Sequence, residues 1–159
     1  DYLLKKSDNL KERLYILGSE LEYYRTTLFR QTKFAEFELK VHEIVESGKV
    51  LSGEDLSKIY LDLLRKYYGH EKGIMNIDDL YGVEWAYIPH FYYNFYVFQY
   101  ATSLCASNMI AKKIIAGESN FKDDYINLFL SSGCSSYPID TLKKFLFLLL
   151  LFYYYKHYR

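Results

Sequence analysis

Between Leu10 and Ser47 the apolar positions Leu10, Leu14, Leu17, Leu21, Tyr24, Leu28, Phe34, Phe37, Val41 and Val45 recur mostly at steps of three and four, the period of an amphipathic α-helix. The run predicts one long helix or two in tandem. Ser7 or Asp8 is the expected cap at its start, and Gly48 the residue that closes its last turn. A second helix is expected to open at Ser52, which has Asp55 three residues on as in a capping box, and to run through Leu56, Ile59, Tyr60, Leu63 and Leu64 to Gly69. So short a connection predicts that the two helices pack antiparallel. Residues 69–77, with two glycines and mixed charge, read as a loop before Asp78 or Asp79 caps a short helix through Leu80, Val83, Glu84 and Trp85. Pro89 breaks the pattern, forces Ile88 out of the helical region and leaves His90 at the entry to the next helix. That helix is expected from about Phe91 to Ala116, ending at Gly117. Another follows from about Phe121 to Leu130, with a turn from Ser131 to Pro138. No stretch alternates over a convincing strand length, so the fold class is all-α.

The last stretch changes character. From Phe145 to Tyr155 the chain reads FLFLLLLFYYY, apolar on every side of a helix. A membrane-spanning helix needs ~20 apolar residues, so the run is too short to cross a bilayer. It reads as a buried helix, an exposed tail prone to aggregation, or the product of a shifted or degraded reading frame. The organisation expected is therefore a helical part over residues 1–144 and an atypical apolar tail over 145–159.

A chain of 159 residues is long enough to bury a core without disulfides or a structural metal. Basic and acidic residues balance at 20 each, and no basic run precedes the last few residues, which argues against a nucleic-acid partner. Cys105 and Cys134 show no CxxC spacing and no disulfide-scaffold density, so both read as free thiols of a cytoplasmic protein. The chain begins Asp1-Tyr2-Leu3-Leu4 without methionine or a leader pattern, and is expected to be a fragment that starts within a helix. No membrane association is expected. The unusual figure is 19 tyrosines, because a ring that is apolar at its body and polar at its tip suits a surface that must bind peptide. Most of them read as plain substitutes for phenylalanine. Local arrangement decides which do not.

His42-Glu43-Ile44-Val45-Glu46 begins like the HExxH zinc motif, but the chemistry of that motif requires two histidines four residues apart on one helical face. The second position is Glu46, no third ligand is in view, and the segment reads as a solvated helix face. His70 and His157 are weaker metal candidates still. No Ser-His-Asp or Cys-His spacing and no Gly-rich phosphate loop is present. The informative segment is IPHFYYNFYVFQYAT at 88–102. On a continuous helix Tyr93, Tyr96 and Tyr100 would stand at i, i+3 and i+7, with His90 one turn earlier. Phenols and an imidazole so placed can donate hydrogen bonds to a peptide carbonyl oxygen as it becomes tetrahedral. A tyrosine-rich core stripe with a capping histidine is the structural alternative, and spacing alone leaves both open.

That segment, with TLFRQTKFAEFELKVHE at 27–43 and SSYPIDTLKK at 135–144, resembles the C-terminal part of the oligoendopeptidase F group of the M3 family of zinc peptidases. Three separated blocks in the right order carry the resemblance over residues 1–144. It implies a largely helical cytosolic endopeptidase that cleaves short peptides in an enclosed channel, using zinc held by an HExxH helix and a downstream glutamate. Those ligands belong to a part of the family preceding the matched region, so zinc is expected in the intact parent enzyme and none in this chain. By position, His90, Tyr96 and Tyr100 match family residues that stabilise the transition state, and Tyr93, Tyr96 and Tyr100 match residues that bind substrate. The chain departs from the family at Ser103-Leu104-Cys105, where small residues are usual, and after Lys144.

The resemblance implies a metalloendopeptidase whose partners are short peptide substrates and the missing N-terminal part of the same enzyme, the chain alone being inactive. A non-enzymatic helical module that binds a peptide or protein, as a degenerate peptidase remnant, is the alternative from another class.

Overall fold

The computed structural model describes residues 2–118 and 120–145. Its elements are α1 (Tyr2–Lys6), α2 (Leu10–Tyr24), a π-helical turn (Arg25–Phe29), α3 (Arg30–Glu46) and α4 (Gly53–Tyr68). A short 3-10 turn (His70–Lys72), two longer 3-10 segments (Asp79–Tyr87 and Pro89–Tyr93) and α5 (Phe98–Ile115) follow. α6 (Phe121–Asp124) then runs into a π-helical turn (Tyr125–Phe129) and a 3-10 turn (Leu130–Ser132), and residues 138–145 are helical again. No strand occurs among the described residues, and the all-α class holds. The chain forms two compact units, Asp1–Ala106 and a second beginning at Ser107.

The first unit is built on α3, α4 and the 3-10 segment Asp79–Tyr87, which packs along α4. Phe34, Phe37, Tyr60, Leu63, Leu64, Ile77 and Val97 form its core, and Trp85, Ile88 and Phe91 pack against them. Local chemistry fixes α4 at both ends. Ser52 Oγ accepts from the Asp55 N–H, and the Asp55 side chain accepts from the Ser52 N–H, which satisfies two otherwise orphaned donors. At the other end Gly69 adopts φ +67°, a left-handed conformation that suits glycine, and the Ile74 side chain stands 2.8 Å from where a Cβ would lie. Gly48 closes α3 in the same way at φ +86°.

The start of α2 differs from expectation. Asn9, not Ser7 or Asp8, is the cap, its side chain accepting from the Lys11 N–H at 2.9 Å. Ser7 closes α1 instead: its N–H bonds to the Leu3 carbonyl, and its hydroxyl donates to Glu12 at 2.6 Å. The apolar stripe of α2 forms as predicted, yet no residue of α2 is buried among the described residues. Leu10, Leu14 and Leu21 stand in the open.

The second unit has its own small core of Ile110, Phe121 and Phe145, with Ile114, Tyr125 and Phe129 around it. Phe121 and Phe145 lie 5.1 Å apart between ring centres, and Phe129 is 5.5 Å from Phe145. Phe145, the first residue of the apolar tail, is thus a core residue, and the rest of the tail, His157 included, lies outside the described residues.

Candidate functional site

The sequence predicts one helix from Phe91 to Ala116, and here the structure corrects it. Pro89 opens a 3-10 segment that ends at Tyr93, and α5 starts only at Phe98. Between them Asn94 and Phe95 hold φ of +41° and +56°, backbone that no α-helix contains and that costs free energy for residues with a side chain. Tyr93, Tyr96 and Tyr100 therefore do not share a helical face. Tyr93 ends a 3-10 turn, Tyr96 stands in the connecting loop, and Tyr100 alone lies on α5.

The left-handed turn nonetheless gathers all four residues. His90 Nε2 and the Tyr100 hydroxyl are 3.2 Å apart, a hydrogen bond whose donor depends on the imidazole tautomer. The Tyr96 ring stacks on the imidazole at 5.7 Å, and it meets Tyr100 edge-on at 5.7 Å and Tyr93 edge-on at 6.2 Å. Tyr93 and Tyr96 are exposed, and His90 and Tyr100 are half-buried. Partial burial, and after it the neighbouring Tyr96 hydroxyl, push the Tyr100 phenol above its ordinary value. Every member of the cluster thus keeps part of its surface open to solvent.

The first unit also holds a charged network that no motif in the sequence announces. Lys33 and Tyr60 are both fully buried, and Lys33 Nζ donates to the Tyr60 hydroxyl at 2.7 Å. That hydroxyl donates in turn to Glu84, which also pairs with Arg30 and stands 3.6 Å from Lys33. Burial lowers the Lys33 ammonium to about 8, with Glu84 opposing the shift and Arg30 reinforcing it. Burial also works against the charge on Glu84, but the Tyr60 hydroxyl, Lys33 and Arg30 outweigh it and hold the carboxyl below its usual range. A lysine one residue before Phe34, on the stripe side of α3, was the available signal.

His42 and His70 are each held by a partner within the first unit. The His42 ring lies 4.5 Å from the Phe95 ring, and His70 Nδ1 accepts from the Ile77 N–H at 2.9 Å, which clasps the loop after α4. Among the described residues no group of three or more His, Cys, Asp or Glu side chains is placed to hold a metal ion. The zinc that the family resemblance implies has no fitting donor set there. No helix among the described residues is long and apolar enough to cross a membrane.

The sequence model of peptidase family M3 matches residues 1–149. Oligopeptidase PepF of Bacillus subtilis is 47% identical over 144 residues, covering 91% of this chain and 21% of the relative. The chromosomal oligoendopeptidase F of Lactococcus lactis subsp. cremoris is 46% identical over 143 residues, covering 89% of this chain and 23% of the relative. The crystal structure of oligoendopeptidase-F from Enterococcus faecium superposes with a TM-score of 0.82 at 42% identity, covering 90% of this chain and 27% of that one. The chain spans between a fifth and a quarter of the length of these curated relatives. With a match that runs from the first residue to past the second core, the chain belongs to peptidase family M3.

Proposed function

We propose that this chain is the C-terminal, substrate-side part of a zinc-dependent metalloendopeptidase that hydrolyses short peptides in the manner of oligoendopeptidase F. The observation that carries the reading is the His90–Tyr100 hydrogen bond with Tyr96 stacked on the same imidazole. With its proton on Nε2, His90 donates to the Tyr100 oxygen and leaves the phenol hydrogen free for a substrate oxygen. Charge that develops on a peptide carbonyl is then met by preorganised donors, the kind of interaction that strengthens on the way to the transition state. Tyr93, Tyr96 and Tyr100 supply the aromatic wall that holds the peptide, and Tyr96 adds a second hydroxyl.

Zinc supplies the Lewis-acid chemistry of such an enzyme, and its ligands belong to the part of the protein that this chain does not contain. The open apolar stripe of α2 supports the same view, because Leu10, Leu14 and Leu21 make a face that the remainder of the enzyme would cover. The chain by itself is accordingly inactive, and binds neither nucleic acid nor a membrane. Two free thiols, Cys105 and Cys134, fit a cytoplasmic location. The test is steady-state peptide hydrolysis by the longer protein with His90→Ala, Tyr96→Phe and Tyr100→Phe.

A further inference from the structure

Glu38 is 4% exposed, although a carboxylate seldom enters a core without a partner. It occupies the i+4 position of a core stripe on α3, with Phe34, Phe37 and Val41 as the apolar members at i, i+3 and i+7. Among the described residues its partner is neither a cation nor a side chain. Glu38 Oε1 accepts from the backbone N–H of Phe95 at 2.7 Å, across 57 residues of sequence. Phe95 is the second of two successive residues in the left-handed region, and Tyr96 follows it directly. One turn further along α3, the His42 ring packs on the Phe95 ring at 4.5 Å. Backbone and side chain of Phe95 are therefore both held from α3, by residues at i and i+4.

We propose that Glu38 is a positioning residue for the aromatic cluster: its hydrogen bond to Phe95 holds the left-handed turn that sets Tyr96 against His90. Backbone in this region persists only where its surroundings over-determine it. Glu38 supplies that constraint from outside the loop, its Oε1 accepting from the Phe95 N–H at 2.7 Å. Without that bond the Asn94–Phe95 turn relaxes toward ordinary backbone, and a one-residue change there swings the Tyr96 ring off the imidazole. His42 assists through ring packing alone. The inference rests on the proposed role of His90 and Tyr96, and adds the group that places them.

The test combines structure and turnover. In the wild-type protein the Phe95 amide hydrogen is protected from exchange although it sits in a loop; exchange at the rate of a free loop amide overturns the proposal whatever any variant does. Glu38→Met keeps length and loses the acceptor, whereas Glu38→Gln keeps an oxygen in the same place. The expectation for Glu38→Met is loss of Phe95 protection, a weakened nuclear Overhauser contact between His90 and Tyr96, and kcat lower by roughly 10- to 100-fold with KM within about twofold. Glu38→Gln restores most of each. If His90→Ala lowers kcat but folded Glu38→Met leaves both turnover and the His90–Tyr96 contact intact, the positioning role is wrong. A folded Glu38→Gln as defective as Glu38→Met also overturns it. If His90→Ala leaves turnover unchanged, the proposed function fails instead, and the His90–Tyr96 contact in Glu38→Met still decides the positioning role.

Discussion

Lys33 and Tyr60 meet in the middle of the first core, the ammonium donating to the phenol oxygen at 2.7 Å with both side chains sealed from solvent. Tyr60→Phe leaves the ammonium with an ion partner, Glu84 at 3.6 Å, and no close acceptor from the ring. The loss of that bond is expected to cost about 1–3 kcal/mol in urea unfolding. The double variant Lys33→Met, Tyr60→Phe is expected to cost less than the sum of the two single changes, because an apolar pair leaves no buried donor unpaired. Strict additivity would contradict a coupled pair.

The same lysine makes stability depend on alkaline pH. Its ammonium is held at about 8 in the folded protein against 10.5 ordinarily, so between these values the unfolded chain carries more protons at this site. Stability therefore rises with pH across that window, and below about 8 the burial cost is present in full. Measured from pH 8 to 10, the unfolding free energy of the wild type is expected to climb relative to Lys33→Met. Parallel curves would show that Lys33 keeps its ordinary value.

Acid acts on a different group. Glu36 takes hydrogen bonds from Lys66 at 2.9 Å and Tyr67 at 2.8 Å, with Lys40 at 3.2 Å. Burial opposes the charge on Glu36, but these partners outweigh it and bring the carboxyl to about 2 from 4.5. A lowered carboxylate contributes its stability in full above 4.5 and loses it as pH falls toward 2. Glu36→Gln should flatten the fall in melting temperature between pH 4.5 and 2.5, and an unchanged acid profile would contradict the network.

Much of this fold is legible in the chain, and the failures have physical causes. The α4 helix was readable end to end, because Ser52, Asp55 and Gly69 act within a few residues and need no tertiary help. The break before α5 was not, because Asn94 and Phe95 carry no glycine to announce a left-handed turn, and the group that holds it comes from α3. Periodicity placed Tyr93, Tyr96 and Tyr100 together for a reason that does not apply, while a loop brings them together for one that only the structure shows. The buried charges Lys33 and Glu38 sit on an otherwise apolar stripe, a signal that a strict count of the stripe's polar members would have raised.

Phe145 provides a test of the second unit. It is 2% exposed and touches Phe121, Tyr125 and Phe129, so Phe145→Ala is expected to destabilise that unit by about 3–5 kcal/mol. Truncation after Phe145 should cost far less than truncation before it. Equal losses in circular dichroism melts would assign the stability to residues beyond 145.

The most direct measurement is kcat and KM of the longer peptidase with His90→Ala, Tyr96→Phe and Tyr100→Phe, alongside the melting temperature of each. Removing one oxyanion donor typically costs about 10²–10³ in rate, and His90→Ala removes the group that turns the Tyr100 phenol hydrogen toward the substrate, so the histidine variant should lose kcat on that scale with peptide binding little changed. The two phenylalanine variants keep the ring and delete only the hydroxyl, and should lose turnover at near-normal melting temperature. Lowered melting temperatures with near-normal kcat in all three would make the cluster structural and contradict the role assigned to it.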